Sequence, residues 1–172
     1  MTSPVTSRCY LAVVGPSRAP VHLADLAREV GAAVAGAGAV LVTGGLGGIM
    51  EAACRGARSA GGLTVGLLPG ENRSAANPWL DVAIPTGLGE ARNALVVRAA
   101  DAVIAVGGQY GTLSEIALAL KAGKPVVGLA TWQLTRGDGR PDDGIVAAHS
   151  AIDAVAHALR LVGWNDRPAN PV

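Results

Sequence analysis

The stretch Val106-Gly107-Gly108-Gln109-Tyr110-Gly111-Thr112-Leu113-Ser114-Glu115 separates two apolar patterns. Before it, residues 102–106 form a continuous apolar run, which is typical of a buried strand. After it, apolar residues recur at helical spacing, at Leu113, Ile116, Ala117 and Leu120. The order is therefore strand, tight glycine loop and helix, a unit from which parallel α/β sheets are built.

The glycine loop in this unit has two interpretations. Glycines let the backbone turn sharply and approach a ligand closely. The unpaired N–H groups and the positive dipole end of the following helix favour a bound phosphate or other anion. The alternative is a tight turn that only joins the strand to the helix. The loop alone leaves the two about even, and the rest of the chain favours a ligand site.

The composition is that of one globular domain. The chain has 172 residues, of which 50% are hydrophobic and 16% are charged, enough for a single substantial core. A net charge of +1 without a basic block argues against a nucleic-acid partner. No apolar run reaches the length of a membrane span, and no signal peptide is recognisable. Cys9 and Cys54 fit buried thiols in a reducing compartment, so we expect a cytoplasmic protein with no membrane partner.

Strand and helix patterns alternate along the chain, which predicts a parallel sheet covered on both faces. Predicted strands cover residues 9–14, 39–42, 63–68, 80–84, 102–106 and 126–129, with a short edge strand near Trp132, and predicted helices include residues 20–36, 49–59, 92–100 and 147–162. We predict an α/β fold, a single Rossmann-like domain over residues 1–172 with six or seven strands. We expect residues 1–8 and 165–172 to be flexible.

Four loops follow predicted strands, at the sheet edge where α/β proteins bind ligands. These loops are residues 15–17, 43–48, 85–87 and 107–112, and they should converge on one crevice. The candidate phosphate-binding residues in them are Ser17, Thr43, Gly44, Gly45, Gly47, Gly48, Thr86, Gly107, Gly108, Gly111 and Thr112. Neither the dinucleotide fingerprint G-x-G-x-x-G nor a G-K-[ST] phosphate loop is present. The histidines lack the neighbours of a metal site, so we expect no metal.

Two of these loops resemble motifs of a known family. Residues 107–115, G-G-Q-Y-G-T-L-S-E, resemble the P-G-G-x-G-T-x-x-E motif of the Lonely Guy family, and residues 43–50 resemble its G-G-G-x-x-G-x-M loop. Members of that Rossmann superfamily are cytokinin-activating nucleoside-monophosphate phosphoribohydrolases, often mislabelled lysine decarboxylases. Arg92 falls where the family has the arginine of its R-K pair. The resemblance extends from about Tyr10 to Leu129.

The sequence departs from the family at two positions. Val106 replaces the usual proline, and Asn93 replaces the lysine of the R-K pair. Residues 66–70, 76–78, 84–87 and 91–93 are more similar to a shorter bacterial branch, which includes the molybdenum cofactor carrier proteins. Both branches share the fold and an anion-binding crevice, and they differ in whether a reaction occurs there. Asn93 is therefore a further candidate ligand-binding residue.

Each candidate side chain also has a structural interpretation. Glu115 is either the acid that assists loss of a base or one half of a capping box with Thr112. Arg92 either clamps a phosphate or is a solvated helix arginine. Thr112 either donates to phosphate or caps the helix. Ser17 either lines the crevice or is an ordinary turn residue. The resemblance implies catalytic roles for Glu115 and Arg92.

The expected function is binding of a small, phosphate-bearing, nucleotide-like ligand. Its enzymatic version is hydrolysis of the N-glycosidic bond of nucleoside 5′-monophosphates, with no required cofactor. The alternative is a carrier without catalysis, which binds molybdenum cofactor, a pterin phosphate, or a nucleotide sensor. The apolar helix at residues 92–100 has little polar face, so it should be covered on more than one side. The resembled family forms homodimers, and we expect a homo-oligomer, a dimer or a tetramer.

Overall fold

The computed structural model describes residues 8–164. The strands are β1 (Tyr10–Val14), β2 (Val40–Thr43), β3 (Thr64–Leu68), β4 (Val82–Pro85), β5 (Ala102–Val106), β6 (Val126–Leu129), β7 (Leu134–Thr135), β8 (Pro141–Asp142) and β9 (Ile145–Ala147). The helices are α1 (Val21–Gly36), α2 (Ile49–Ser59), α3 (Asn93–Ala99), α4 (Tyr110–Lys121) and α5 (Ala151–Leu161), and a 3-10 turn (Gly89–Arg92) precedes α3. The expected flexibility of residues 1–7 and 165–172 concerns residues outside this described part.

Seven of the strands form one parallel sheet in the order β4-β3-β2-β1-β5-β6-β9. The predicted Rossmann-like α/β fold, with helices on both faces, is confirmed. The chain runs outward from β1 to β4, then returns to the other side of β1 and continues through β5, β6 and β9. The strand order therefore reverses between β1 and β5, and in such sheets a crevice opens at the carboxyl ends of those two strands. The short strands β7 and β8 form a separate antiparallel ribbon.

Two apolar layers hold the helices on the sheet. Helices α1, α2 and α5 pack on one face around side chains such as Leu11, Leu41 and Ile104. Helices α3 and α4 cover the other face, where Val96 and Ile116 pack against residues of β1, β2 and β5. The fully buried side chains are almost all Val, Leu, Ile and Ala, as a chain without Phe requires. Cys9 and Cys54 are both buried, as expected.

The last helix was predicted to begin too early. Residues 145–147 form the seventh strand of the sheet, and α5 begins at Ala151 because Ser150 caps it, its hydroxyl accepting from the Asp153 N–H at 3.1 Å. The later start rotates the buried face, so Ile152, predicted to face inward, is 77% exposed. Trp132 precedes β7 and lies in no strand.

The face covered by α3 and α4 is not covered completely. Val82 and Ile84 of the edge strand β4 pair in register with Val65 and Leu67, on the same face as α3, and both are more than 40% exposed. Leu95 of α3 is also exposed. This uncovered apolar surface agrees with the expectation that the helix needs a second cover. Within residues 8–164, no helix has the length and apolar character needed to cross a membrane.

Candidate functional site

A cleft of about 260 Å³ opens at the point where the strand order reverses. Its walls come from the loops after β1, β2, β3 and β5, from the 3-10 turn and from the first turns of α3 and α4. The lining residues are Gly15, Pro16, Ser17, Leu46, Met50, Pro69, Gly89, Glu90, Arg92, Asn93, Gln109, Gly111, Thr112 and Glu115. Three loops that the sequence predicted to converge, after β1, β2 and β5, therefore meet at one site.

Arg92 ends the 3-10 turn and lies almost entirely below the surface, with 6% of its area exposed. The Nε atom is buried and has no hydrogen-bond partner. A side chain at Gly44 would overlap the guanidinium, so this glycine makes room for Arg92. Burial lowers the pKa of Arg92, and the nearby Glu115 partly offsets that effect. Arg92 is thus a buried cation with unused donors, rather than the solvated arginine of the structural interpretation.

Glu115 projects from α4 into the same cleft and is 8% exposed. Burial raises the pKa of its carboxyl to about 7, against the opposing effect of the Arg92 charge. The salt bridges found within residues 8–164 include neither Glu115 nor Arg92. The two groups therefore interact through space without closing an ion pair, and the cleft between them stays open to a ligand.

Thr112 is the second buried polar side chain without a partner. It is 2% exposed, lines the cleft, and its Oγ1 atom accepts or donates no hydrogen bond. Helix α4 begins at Tyr110 with Gln109 as its N-cap, so Thr112 lies inside the first turn. The capping box of Thr112 and Glu115 is therefore wrong, because neither residue stands at a capping position.

The loops after β1 and β2 support each other closely. Gly48 has φ +62°, a conformation that side chains rarely adopt, and a Cβ there would overlap the backbone of Pro16 and Ser17. The Ile49 N–H donates to the Pro16 carbonyl at 3.1 Å. This contact fixes Ser17 at the cleft edge.

Six of the predicted site residues line the cleft, namely Ser17, Arg92, Asn93, Gly111, Thr112 and Glu115. The others shape the loops behind it. Thr43 is fully buried, and its hydroxyl accepts from the Gly45 N–H at 3.1 Å. The Thr86 hydroxyl donates to the Leu68 carbonyl at 2.7 Å. The remaining glycines stand where side chains crowd the backbone, as Trp132 does at Gly108 and Leu23 does at Gly107.

Several lining residues were not predicted as ligand contacts. They are Gly15, Pro16, Leu46, Met50, Pro69, Gly89, Glu90 and Gln109. Leu46, Met50 and Gln109 lie inside or beside the glycine motifs, which was a usable signal. Pro69 and Gly89 reach the cleft only because β3 ends beside the 3-10 turn, so local sequence carried no sign of them.

The polar loop at residues 71–78, predicted to be a lid or a rim, supports the site from behind. Asn77 is buried, its side-chain amide donates to the Leu46 carbonyl at 3.1 Å, and its backbone N–H donates to the Gly45 carbonyl at 2.9 Å. None of the residues 71–78 is among those that line the cleft. The loop therefore holds the glycine loop after β2 in place.

The chemistry available in the cleft is that of an anion site beside a carboxyl group. Its charged lining residues are Glu90, Arg92 and Glu115. Two helices, α2 and α4, begin at its edge and turn their free N–H groups toward it. Within residues 8–164, no three His, Cys, Asp or Glu side chains are grouped to hold a metal ion.

Comparison with known proteins places the chain among similar folds and sequences. It is 36% identical over 163 residues to the cytokinin riboside 5′-monophosphate phosphoribohydrolase of Mycobacterium tuberculosis, which covers 82% of this chain and 87% of that protein. A molybdenum cofactor binding protein from Rippkaea orientalis superposes with a TM-score of 0.82 at 35% identity, over 91% of this chain and 99% of that one. The molybdenum cofactor carrier protein of Chlamydomonas reinhardtii superposes with a TM-score of 0.77 at 33% identity, again over 91% and 99%.

The resemblance to Lonely Guy proteins and molybdenum cofactor carriers, first noted on two loops, thus extends over most of the chain. The family description that matches is that of SLOG cluster4, and it spans residues 8–155, which include all the strands and every residue that lines the cleft. The protein belongs to the SLOG cluster4 family.

Proposed function

We propose that the cleft binds a small nucleotide-like ligand through its phosphate group. The observation that carries this proposal is a pair of buried, unpartnered donors, Arg92 Nε and Thr112 Oγ1, beside the start of α4. Leaving a buried polar group unpaired costs about 1–3 kcal/mol, and more for a charged one. A phosphate would pair with both groups and with the free N–H groups of the helix.

The opposite wall of the cleft suits the rest of such a ligand. Leu46, Met50 and Pro69 present apolar surface to the space that faces Arg92 and Glu115. A flat heterocycle, either a purine or a pterin, gains by covering apolar surface. Glu115 then lies where it can accept a hydrogen bond from a ribose hydroxyl or an N–H group of the ligand.

In the enzymatic version, the ligand is a nucleoside 5′-monophosphate and the reaction is hydrolysis of its N-glycosidic bond. The bond between C1′ and the base nitrogen breaks, and the base leaves with the proton of Glu115. Water adds its hydroxyl to C1′ of the oxocarbenium-like sugar and returns its second proton to Glu115. A carboxyl with a pKa of about 7 is present in both forms at neutral pH, as a general acid–base group requires. Arg92 holds the phosphate.

The alternative is a carrier that binds a pterin phosphate, such as molybdenum cofactor, and releases it unchanged. Two observations favour it: Asn93 stands where the resembled hydrolases have lysine, and the Rippkaea and Chlamydomonas proteins, with 99% of their chains covered, bind or carry that cofactor. In this version Glu115 fixes the orientation of the ligand and transfers no proton to it.

One assay separates the two versions. The wild-type protein and Glu115→Gln are incubated with AMP, GMP and CMP, and free base is measured by chromatography. A hydrolase releases base, and Glu115→Gln lowers the rate by about 10²–10⁴-fold while AMP still binds. If the wild type releases no base, and mass spectrometry of the purified protein finds a bound pterin or nucleotide, the hydrolase version is wrong and the carrier version replaces it.

The shared claim, recognition through phosphate, has its own test. Calorimetry compares AMP with adenosine, which lacks only the phosphate. We expect AMP to bind at least about 100-fold more tightly, because charge-assisted hydrogen bonds to phosphate contribute about 1.5–3 kcal/mol each. Equal affinities for AMP and adenosine would overturn the proposal.

We also propose that the uncovered apolar surface of Val82, Ile84 and Leu95 is covered by a second copy of the chain. These side chains flank α3, whose first residue, Asn93, lines the cleft. Light scattering at micromolar concentration should give a dimer or a larger even assembly, and Ile84→Arg should reduce it to monomers. A wild-type monomer across that range would contradict this proposal.

A further inference from the structure

We propose that the cleft takes up one proton together with its phosphate ligand, with Glu115 as the proton acceptor, so that binding weakens as the solution becomes alkaline. This inference rests on the proposed phosphate site and adds a regulation of that site. Its basis is the open arrangement of Glu115 and Arg92, two buried charged groups that face one cleft without an ion pair.

The charge on Glu115 depends on what occupies the cleft. In the free protein, burial favours the neutral carboxyl and the Arg92 cation favours the carboxylate, and the balance gives a pKa of about 7. A bound phosphate dianion changes both parts of this balance. It neutralises Arg92, and it places negative charge beside Glu115 in a region of low dielectric, where charges interact strongly. Both changes favour the neutral acid.

The other charged groups near Glu115 leave this balance in place. Glu90, on the 3-10 turn, also lines the cleft but is exposed, so water screens it. Arg18, after the β1 loop, is exposed and is not among the lining residues. Arg98 of α3 and Lys121 of α4 line a separate cavity between those two helices. Arg92 is thus the one cation among the lining residues of the cleft.

Proton uptake gives the affinity a definite pH dependence. Below pH 7, Glu115 is already protonated in the free protein, so the affinity is flat. Above pH 7, each binding event must first protonate Glu115, and the affinity falls by roughly tenfold per pH unit until the pKa of the bound state is passed. A phosphomonoester has its second pKa at about 6, so the ligand itself is a constant dianion in this range.

The same proton has a use in either version of the function. In a hydrolase, binding of the nucleotide would load Glu115 with the proton that the departing base requires. In a carrier, a rise in pH or a competing base would release the ligand. In both versions, proton uptake accompanies binding and does not require turnover, so binding alone tests it.

The test is calorimetric titration with AMP as the probe at about pH 8, in HEPES and in Tris, whose ionisation enthalpies differ. The difference in binding heat between the two buffers counts the protons taken up. We expect close to one proton for the wild type, and roughly a tenfold loss of affinity between about pH 7.5 and pH 8.5. Glu115→Gln, which carries the neutral form permanently, should take up none and should bind with the same affinity at both pH values.

Glu90→Gln is the matched control, because it removes the other carboxylate of the lining. It should retain the proton uptake of the wild type. Circular dichroism establishes that each variant is folded. AMP binding without proton uptake in the wild type would overturn this inference and leave the proposed phosphate site intact. Absence of AMP binding at every pH between about 6 and 9 would overturn the phosphate site, and this inference with it.

Discussion

The two glycine loops, after β2 and after β5, look alike in sequence and differ in how their polar groups are satisfied. In the loop after β2, the Thr43 hydroxyl accepts from the Gly45 N–H, and Asn77 pairs with the Gly45 and Leu46 carbonyls. In the loop after β5, the position of Gly111 is open and the Thr112 hydroxyl has no partner. The first loop is finished by the protein itself, whereas the second is incomplete without a ligand.

The largest expected effect is on stability, in the loop after β2. Gly48→Ala places a methyl group against the backbone of Pro16 and Ser17 at φ +62°. Overpacking and left-handed strain each cost about 1–3 kcal/mol, so we expect a loss of about 3–5 kcal/mol in the free energy of unfolding. Gly111→Ala is the control in the other loop, where a Cβ meets nothing within 4 Å, and it should be neutral or stabilising. Urea denaturation measures both, and equal losses would remove the contrast between the loops.

Glu115→Gln tests whether the site on α4 is costly to keep. The pKa of Glu115 is about 7 in the folded protein against 4.5 for the free group. Between these values the folded state binds more protons than the unfolded state, so stability falls as pH rises through this range. At about pH 8 we expect the variant to be more stable than the wild type by about 3 kcal/mol. Denaturation across pH 4 to 8 should show this gain shrinking toward zero at the acid end, and a constant difference would contradict the buried ionisation.

Gly111→Asp tests the open position itself. The side chain fits without a clash, and a carboxylate near the start of a helix does not destabilise it. Beside a phosphate the same charge is repulsive, and we expect AMP affinity to fall at least about 100-fold. Gly111→Asn has the same size without the charge and should bind AMP far better. Similar losses for Asp and Asn would mean that phosphate does not lie at this position.

The smallest expected effects come from a matched pair of threonines. Thr43→Val removes a hydroxyl that the protein uses, so stability should fall by about 1–2 kcal/mol with little change in AMP affinity. Thr112→Val removes a hydroxyl that the protein leaves unpaired, so stability should hold while AMP affinity falls by about tenfold. Thermal unfolding and calorimetry of the two variants measure the four values. A reversed pattern would exchange the roles assigned to the two loops.

The alternation of apolar runs with helical patterns was enough to predict the parallel sheet, since a strand buried on both faces must be apolar throughout. It predicted six strands and the converging loops after β1, β2 and β5. The strand β9 was missed because Ile145–Ala147 is only three residues long and merges with the following helical pattern. The capping box was wrong because the spacing of Thr112 and Glu115 fits a cap anywhere along a helix, and α4 begins two residues before Thr112.

The sequence by itself determined the fold class, the position of the cleft along the chain and the residue types that reach it. These follow from local periodicity and from the turn chemistry of glycine, which neighbouring residues set. Only the tertiary structure decided which polar groups are paired. Thr43 and Thr112 occupy similar positions in similar motifs, yet the first is satisfied and the second is not. The reason is physical: hydrogen-bond satisfaction and burial depend on residues distant in the chain, such as Gly44 beside Arg92 and Arg92 across from Glu115.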